Sequence, residues 1–592
     1  MPSPLALPFA LGNLLLLAGA LAASRRELRS ILPRGHGERR ALFLLLLLAF
    51  TVRAGNPYHA VPGMEEGFFL DQADGLVHHR LNAICSTGSM GQRLLFDLYY
   101  PIGERGECQQ FATYFPVGYP LVLSLASVLL GFSGMAVRAV GVLGGTATVA
   151  CVYMLAYLLT KDRRSALVAG LVIALLPMHV RFGAKGLSEV LSILTEVLAV
   201  LAAVLHVRTG RRGPAWLAAA SIALHVTIKN ENLLALAPLS VVYWWGRKRA
   251  RPPLVPWLLI LVLIAPHFTD WGETRFGGEN ASSLLDPSSV PRNVWYITYW
   301  FDGYFQPWLF TALALMGGML LLRMHAPGGL LVACWMGTRL ILYLLTNMPA
   351  FTPRYMLGLS VPFALACGAG ALALPGRLFH LEAVVVLSGL AHLPFAYGPM
   401  FGHELPDSTR SVLSTLHLIL PLLTLLWAAW RTESACRRRL VALAITCAVV
   451  ITVLYPHVAP FDDIPRSIRK AVALEESTFD GWDRMVGRGC YLVGPQAMRT
   501  RTLWGRYPVV PGTHSFLEGT EAGLRSDVTS LLARENCVYL YDNSGGSDPG
   551  AVAMRDEFEL MLLDRVIVPP ELVEPAGNVR EHALYQVSPP RG

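Results

Sequence analysis

Two adjacent carboxylates, Glu65 and Glu66, stand in PGMEEGFFLDQADGL, residues 62–76, shortly after an apolar segment at 41–52. Like charges side by side repel, and a nearby membrane surface strips their solvation. At least one pKa therefore rises, which makes that carboxylate a candidate general base. The competing reading is a solvated loop pair.

The elements that must position these residues are membrane spans. The chain has 592 residues, of which 53% are hydrophobic and only 15% charged, far less charge than a soluble protein of this size carries. Apolar runs near the roughly 20-residue spanning length recur along it. The net charge of +8 does not point to nucleic acid, because the basic residues sit in short loops between apolar runs, as the positive-inside rule describes. The first apolar run, 5–23, is followed by basic SRRELRS and reads as a retained span.

Placing the basic loops 24–40, 160–165, 208–213, 247–253 and 431–439, with weaker ones at 322–328 and 375–380, on one side fixes a topology. It requires about fourteen spans with both termini outside. The expected spans are 5–23, 41–55, 135–159, 165–183, 187–206, 214–228, 232–246, 254–268, 304–323, 327–346, 355–374, 381–398, 411–430 and 440–456. The apolar run 115–131 would reverse the topology if it crossed, so it is expected to lie in or dip into the outer interface. The fold class is an all-α polytopic membrane protein, with 1–456 as the membrane domain and 54–134 as the outer loop that carries the acidic motif.

From 457 to 592 the charge rises and the spanning runs stop. Strands are expected at 489–495, 536–542, 565–570 and 582–589, with a helix over 517–536. This is a small α/β domain outside the membrane. Cysteine placement agrees with the topology: Cys85 and Cys108 fall in the first outer loop and Cys490 and Cys537 in the tail. Two disulfides, Cys85–Cys108 and Cys490–Cys537, are expected in the oxidising compartment, with the other five cysteines as thiols.

The order of features over roughly 40–400 resembles the multi-span glycosyltransferases of the GT-C fold, above all the protein O-mannosyltransferase and aminoarabinose transferase families. Their first-span arginine, acidic pair, aromatic helix and alanine correspond to Arg53, Glu65, Glu66, Phe68, Phe69 and Ala73. Their Pro- and Tyr-rich entry to an apolar helix, closed by Gly and followed by Arg, corresponds to Tyr114, Pro116, Tyr119, Pro120, Gly131 and Arg138. Glu189 matches an outer-surface acid, and Arg354, Tyr355 and Pro362 match a later Arg-Tyr motif. The chain departs from the families in having Glu-Glu for the usual Asp-Glu, and in its span at 5–23. The first departure leaves open which acid is the base.

The resemblance implies transfer of a hexose or pentose from a polyprenyl-phosphate donor to a glycan, lipid or protein acceptor, on the extracytoplasmic side of the cytoplasmic membrane. Glu65 or Glu66 would be the base, and Arg354, Tyr355 and Arg138 would receive the donor phosphate. Glu189 would face the same cavity and bind substrate or metal. Arg354 has a plainer reading as a snorkelling residue. Glu196, within a span, needs a Lys or Arg partner. Lys229 and Glu231 would lie in an outer turn, near a carrier phosphate or simply exposed. No spacing fixes a metal site, and a divalent cation held by carboxylates is left open. A transporter or flippase of lipid-linked sugars would need mid-membrane charges and inverted repeats. An envelope polysaccharide polymerase or ligase would leave the early acidic pair unexplained.

Overall fold

The computed structural model describes residues 6–55, 117–131, 134–185, 187–247, 308–324, 326–345, 353–374, 381–397, 537–542, 549–570 and 581–589, with shorter pieces between them. The chain divides into two compact units. The first comprises Met1–Tyr58, Gln110–Tyr397 and Leu405–Tyr455.

Within this unit the helices are α1 (Ala6–Ile31), α2 (His36–Ala54), α3 (Gly118–Leu130), α4 (Gly134–Thr160), α5 (Arg163–Leu175), α6 (Pro177–Lys185), α7 (Ser188–Thr209) and α8 (Arg212–Ile228). They continue as α9 (Leu236–Gly246), α10 (Trp308–Met324), α11 (Ala326–Leu345), α12 (Ser360–Gly370) and α13 (Leu381–Tyr397), with 3-10 turns at Asn230–Ala235 and Pro353–Leu359. Among the described residues, four helices are long and apolar enough to cross a membrane, and a fifth crossing arises if the bent pair α5–α6 counts as one. Most of the expected spans at 411–430 and 440–456, and much of 254–268, lie outside the described residues. Helix α7 is buried nearly all round, packed against α4, α8 and α9; α12 packs on α10 and α5.

The expected basic loops meet at one end. Arg163 donates to the carbonyls of Ile31 (2.8 Å) and Leu32 (3.4 Å), and lies 3.7 Å from Glu38. Arg211 pairs with Glu27 at 2.9 Å, and Arg164 with Glu382 at 2.7 Å. Helices α2 and α8 therefore finish at the opposite end, where α4 and α7 begin. Helix α3 has 13 residues. At 1.5 Å per residue its described length is about 20 Å, short of the roughly 30 Å hydrocarbon core.

The expected span 165–183 is broken. Leu176 is extended (φ −65°, ψ 115°), and α5 and α6 meet at 60°. Pro177 explains it: proline has no amide proton and forces the residue before it out of the helical region.

The second unit comprises His59–Gln109, Gly398–Glu404 and Pro456–Gly592. It contains the short pair β1 (Ile84–Cys85) and β2 (Cys108–Gln109), which is antiparallel with Cys85 in register with Cys108. Its tail has β3 (Tyr491–Val493), β4 (Val509–Val510), β5 (Val538–Asp542), α14 (Pro549–Glu557), β6 (Glu559–Ile567) and β7 (Glu581–Ser588). The sheet order is β4-β3-β5-β7-β6, parallel across the first three strands and antiparallel across the rest. Val528, Val538, Leu540, Met554, Phe558 and Val587 form its core. Strand β6 begins six residues earlier than the apolar run 565–570 suggests: ELMLLD lies on an edge strand, partly buried or exposed, with a register shift between Leu562 and Asp564. Cys537, next to β5, is disulfide-bonded. Cys490 lies outside the described residues, as do Glu65 and Glu66.

Candidate active site

The polar side chains of the first unit gather at the end remote from the basic loops. Arg53, in the last turn of α2, is fully buried. Its Nη1 donates to the carbonyls of Ala49 (2.8 Å) and Ala174 (3.3 Å). Its Nη2 donates to the carbonyl of Ile173 (3.2 Å) and stands 2.6 Å from Nδ1 of His179. In an unbroken helix, Ile173 would receive the amide of residue 177, and that residue is a proline. Ala174 belongs to the last turn of α5, whose carbonyls have no partner within the helix. The guanidinium thus supplies donors that the break removes. Room for it comes from Gly145 and Gly183, where a methyl group would stand 2.6 and 3.0 Å from Arg53. Arg53 fits a structural role in this setting.

Arg138, in the second turn of α4, donates to the carbonyl of Ala54 at the end of α2. A guanidinium has five N–H donors, so this contact does not consume it. Glu189, in the first turn of α7, is buried and holds Nζ of Lys229 at 2.7 Å; Lys229 is itself mostly covered. Lys229 is therefore not an exposed turn residue. Ser188 also donates to Glu189, at 3.4 Å.

One face of α7 continues this polar line inward through Ser192 and Glu196. Ser192 donates to Oδ1 of Asn232 at 2.9 Å, and Nδ2 of Asn232 donates to the carbonyl of His225 at 2.5 Å. Thr195 lies 3.0 Å from Nδ1 of His225. These bonds tie the end of α8 and the following 3-10 turn to α7, and so fix where Lys229 leaves the helix. Glu196 accepts from Nε1 of Trp335 and from Nη2 of Arg339, both at 2.9 Å and both on α11. A buried acid in a span requires such partners. This pair lies two helical turns below Glu189 on α7.

The turn Pro353–Leu359, which carries Arg354 and Tyr355, packs on α6, α7 and α11. The side chains of Arg354 and Tyr355 lie outside the described residues. Among the described residues, no three His, Cys, Asp or Glu side chains converge to hold a metal. The elements bearing Glu189, Lys229, Arg138 and the Arg354 turn are thus assembled at one end.

Two comparisons bear on this arrangement. The family profile described as dolichyl-phosphate-mannose-protein mannosyltransferase matches residues 115–269, which include Arg138, Glu189 and Lys229. The crystal structure of ArnT from Cupriavidus metallidurans in the apo state superposes with a TM-score of 0.51 at 13% identity, covering 92% of this chain and 97% of that one. The chain has the GT-C fold. The same ArnT bound to undecaprenyl phosphate gives a TM-score of 0.50 at 12% identity, with the same coverage of both chains. No curated protein matches the chain. This GT-C protein is an integral membrane protein, and its apolar helices fit that.

The sequence brings Glu189 and the Arg354 motif to light without their partners. Arg339, Trp335, His225 and Asn232 escape sequence reading, although a lone arginine inside the apolar run LLVACWMGTRLILYLL is a signal in itself.

Proposed function

We propose that this protein is a glycosyltransferase. It moves a sugar from a polyprenyl-phosphate carrier to a glycan, lipid or protein acceptor at the extracytoplasmic face of the cytoplasmic membrane. The observation that carries the proposal is the convergence of the Glu189–Lys229 pair and the Arg354-bearing turn on the α7 end remote from the basic loops. Its support outside the chain is the fold shared with ArnT, which has been crystallised with undecaprenyl phosphate.

In this reading Glu65 or Glu66 takes the proton from an acceptor hydroxyl as its oxygen attacks the anomeric carbon in line. The bond from that carbon to the phosphate oxygen breaks, and the lipid phosphate leaves with the electron pair. Arg354, Tyr355 and Arg138 supply hydrogen-bond donors to that phosphate, where charge-assisted bonds from arginine are strongest. Lys229 neutralises Glu189 and holds its carboxylate ready for a substrate hydroxyl. Cys85–Cys108 and Cys490–Cys537 are the disulfides we assign.

The test is to supply membranes containing the protein with radiolabelled polyprenyl-phosphate hexoses and pentoses and to follow transfer. We expect Glu65→Gln or Glu66→Gln, and Arg354→Ala, each to reduce transfer by about 100-fold or more, the scale of general-base and oxyanion contributions. Wild-type rates in all three variants would sink the site assignment.

A further inference from the structure

We infer that Arg339 is the positioning residue for the phosphate-binding turn Pro353–Leu359, an assignment that rests on the function proposed above. Three observations lead there. Arg339 is buried, and its charge is answered by Glu196 at 2.9 Å. Trp335, one turn earlier on α11, donates to the same carboxylate oxygen at 2.9 Å, so α11 is fixed to α7 at two successive positions. The guanidinium also lies against the backbone of Gly358: a methyl group there would stand 3.2 Å from its Cζ, Nε and Nη1 alike.

The equal distances place that methyl position over the face of the guanidinium rather than at its edge. A methyl group at Gly358 would require the turn or the guanidinium to give by a few tenths of an ångström. Gly358 lies four residues after Arg354 in the same 3-10 element, so the depth at which Arg339 stops Gly358 sets where Arg354 and Tyr355 begin. Ion pair and face contact together form a chain from α7 through Arg339 to the turn. Glu189 stands seven residues before Glu196 on α7. The same helix therefore places the Glu189–Lys229 pair and, through Arg339, the turn. Arg339 touches no substrate in this account; it acts through the turn.

The experiment compares Gly358→Ala and Arg339→Lys with wild type, using the full chain in detergent micelles. Affinity for undecaprenyl phosphate is read by native mass spectrometry, and donor KM and kcat in the transfer assay. Gly358→Ala pushes the turn away, while Arg339→Lys keeps the charge for Glu196 and loses the planar contact. Each is expected to weaken undecaprenyl phosphate binding by about 10-fold, the equivalent of one charge-assisted hydrogen bond, and to raise donor KM more than it lowers kcat. Combining them should recover part of the loss, since the narrower lysine leaves room for the methyl group.

Wild-type affinity in either folded variant overturns the assignment. So does failure of both to fold, because Arg339 would then support the bundle rather than aim the turn. Absence of sugar transfer by wild type would instead overturn the proposed function, while lipid-phosphate affinity would still report on Arg339.

Discussion

Nη2 of Arg53 stands 3.2 Å from the carbonyl oxygen of Ile173, the oxygen that Pro177 leaves without an amide. A proline break inside a span normally strands such groups in an apolar medium, where neighbouring side chains must satisfy them. Here a residue 120 positions earlier does so. The break and the arginine are two halves of one device.

That relationship makes a double-mutant prediction. Arg53→Met strands the carbonyls of Ile173 and Ala174, at about 1–3 kcal/mol for each unsatisfied buried group. A large fall in thermal stability in detergent is expected. Pro177→Ala restores an amide opposite Ile173, so Arg53→Met should cost less in its presence. Simple additivity of the two would show that Arg53 does not serve the break.

The Glu196–Arg339 pair is fully inside the bundle, and its two halves should behave unequally when removed. Glu196→Ala leaves a buried guanidinium with its charge unanswered, a loss of about 3–5 kcal/mol. Replacing both, as Glu196→Leu with Arg339→Met, should restore much of that stability, because an apolar pair of similar volume packs where the ions stood. Unfolding curves of the single and double variants decide it. A double variant as unstable as Glu196→Ala would mean that the cost lies elsewhere.

Hydropathy and charge together make the bundle legible: α4, α7, α8, α11 and α13 all fall within a few residues of the spans expected from sequence. The 60° bend at Pro177 was also written in the sequence, but a proline inside a membrane span is often tolerated, and only the φ and ψ of Leu176 decide between a kink and a break. Glu189 was visible because it matches the outer-surface acid of the families the sequence resembles. Its partner was not, because Lys229 belongs to another helix end, 40 residues away. Pairings across helices depend on which residue of another helix stands opposite the polar face of α7, and no single helix's periodicity records that.

Glu189 and Lys229 form a largely buried pair, so removing either partner leaves the other charge without its answer. Glu189→Ala and Lys229→Ala are each expected to reduce transfer by about 10-fold or more, since each leaves the other charge poorly answered. Asn232→Ala, which releases the turn that aims Lys229, should show a smaller loss in the same direction. If Asn232→Ala is silent while Lys229→Ala is not, the hydrogen bonds of Asn232 do not aim the lysine.

Cys85 faces Cys108 across a two-residue antiparallel pair, and Cys537 is disulfide-bonded beside β5. Cysteines directly opposite on antiparallel strands are close enough to bridge without moving the backbone, because facing α-carbons lie about 4.5–5.5 Å apart. Cys151, Cys334 and Cys367 are free thiols inside the bundle. The expected labelling pattern follows. Alkylation of the denatured, unreduced protein should modify Cys151, Cys334 and Cys367 but spare Cys85, Cys108, Cys490 and Cys537, which should label only after reduction. Peptide mass spectrometry reads each site separately, so labelling of Cys85 and Cys108 before reduction would remove the first bridge while leaving the second standing. Cys85→Ser should then leave Cys108 alkylatable without reductant, and Cys537→Ser should do the same for Cys490.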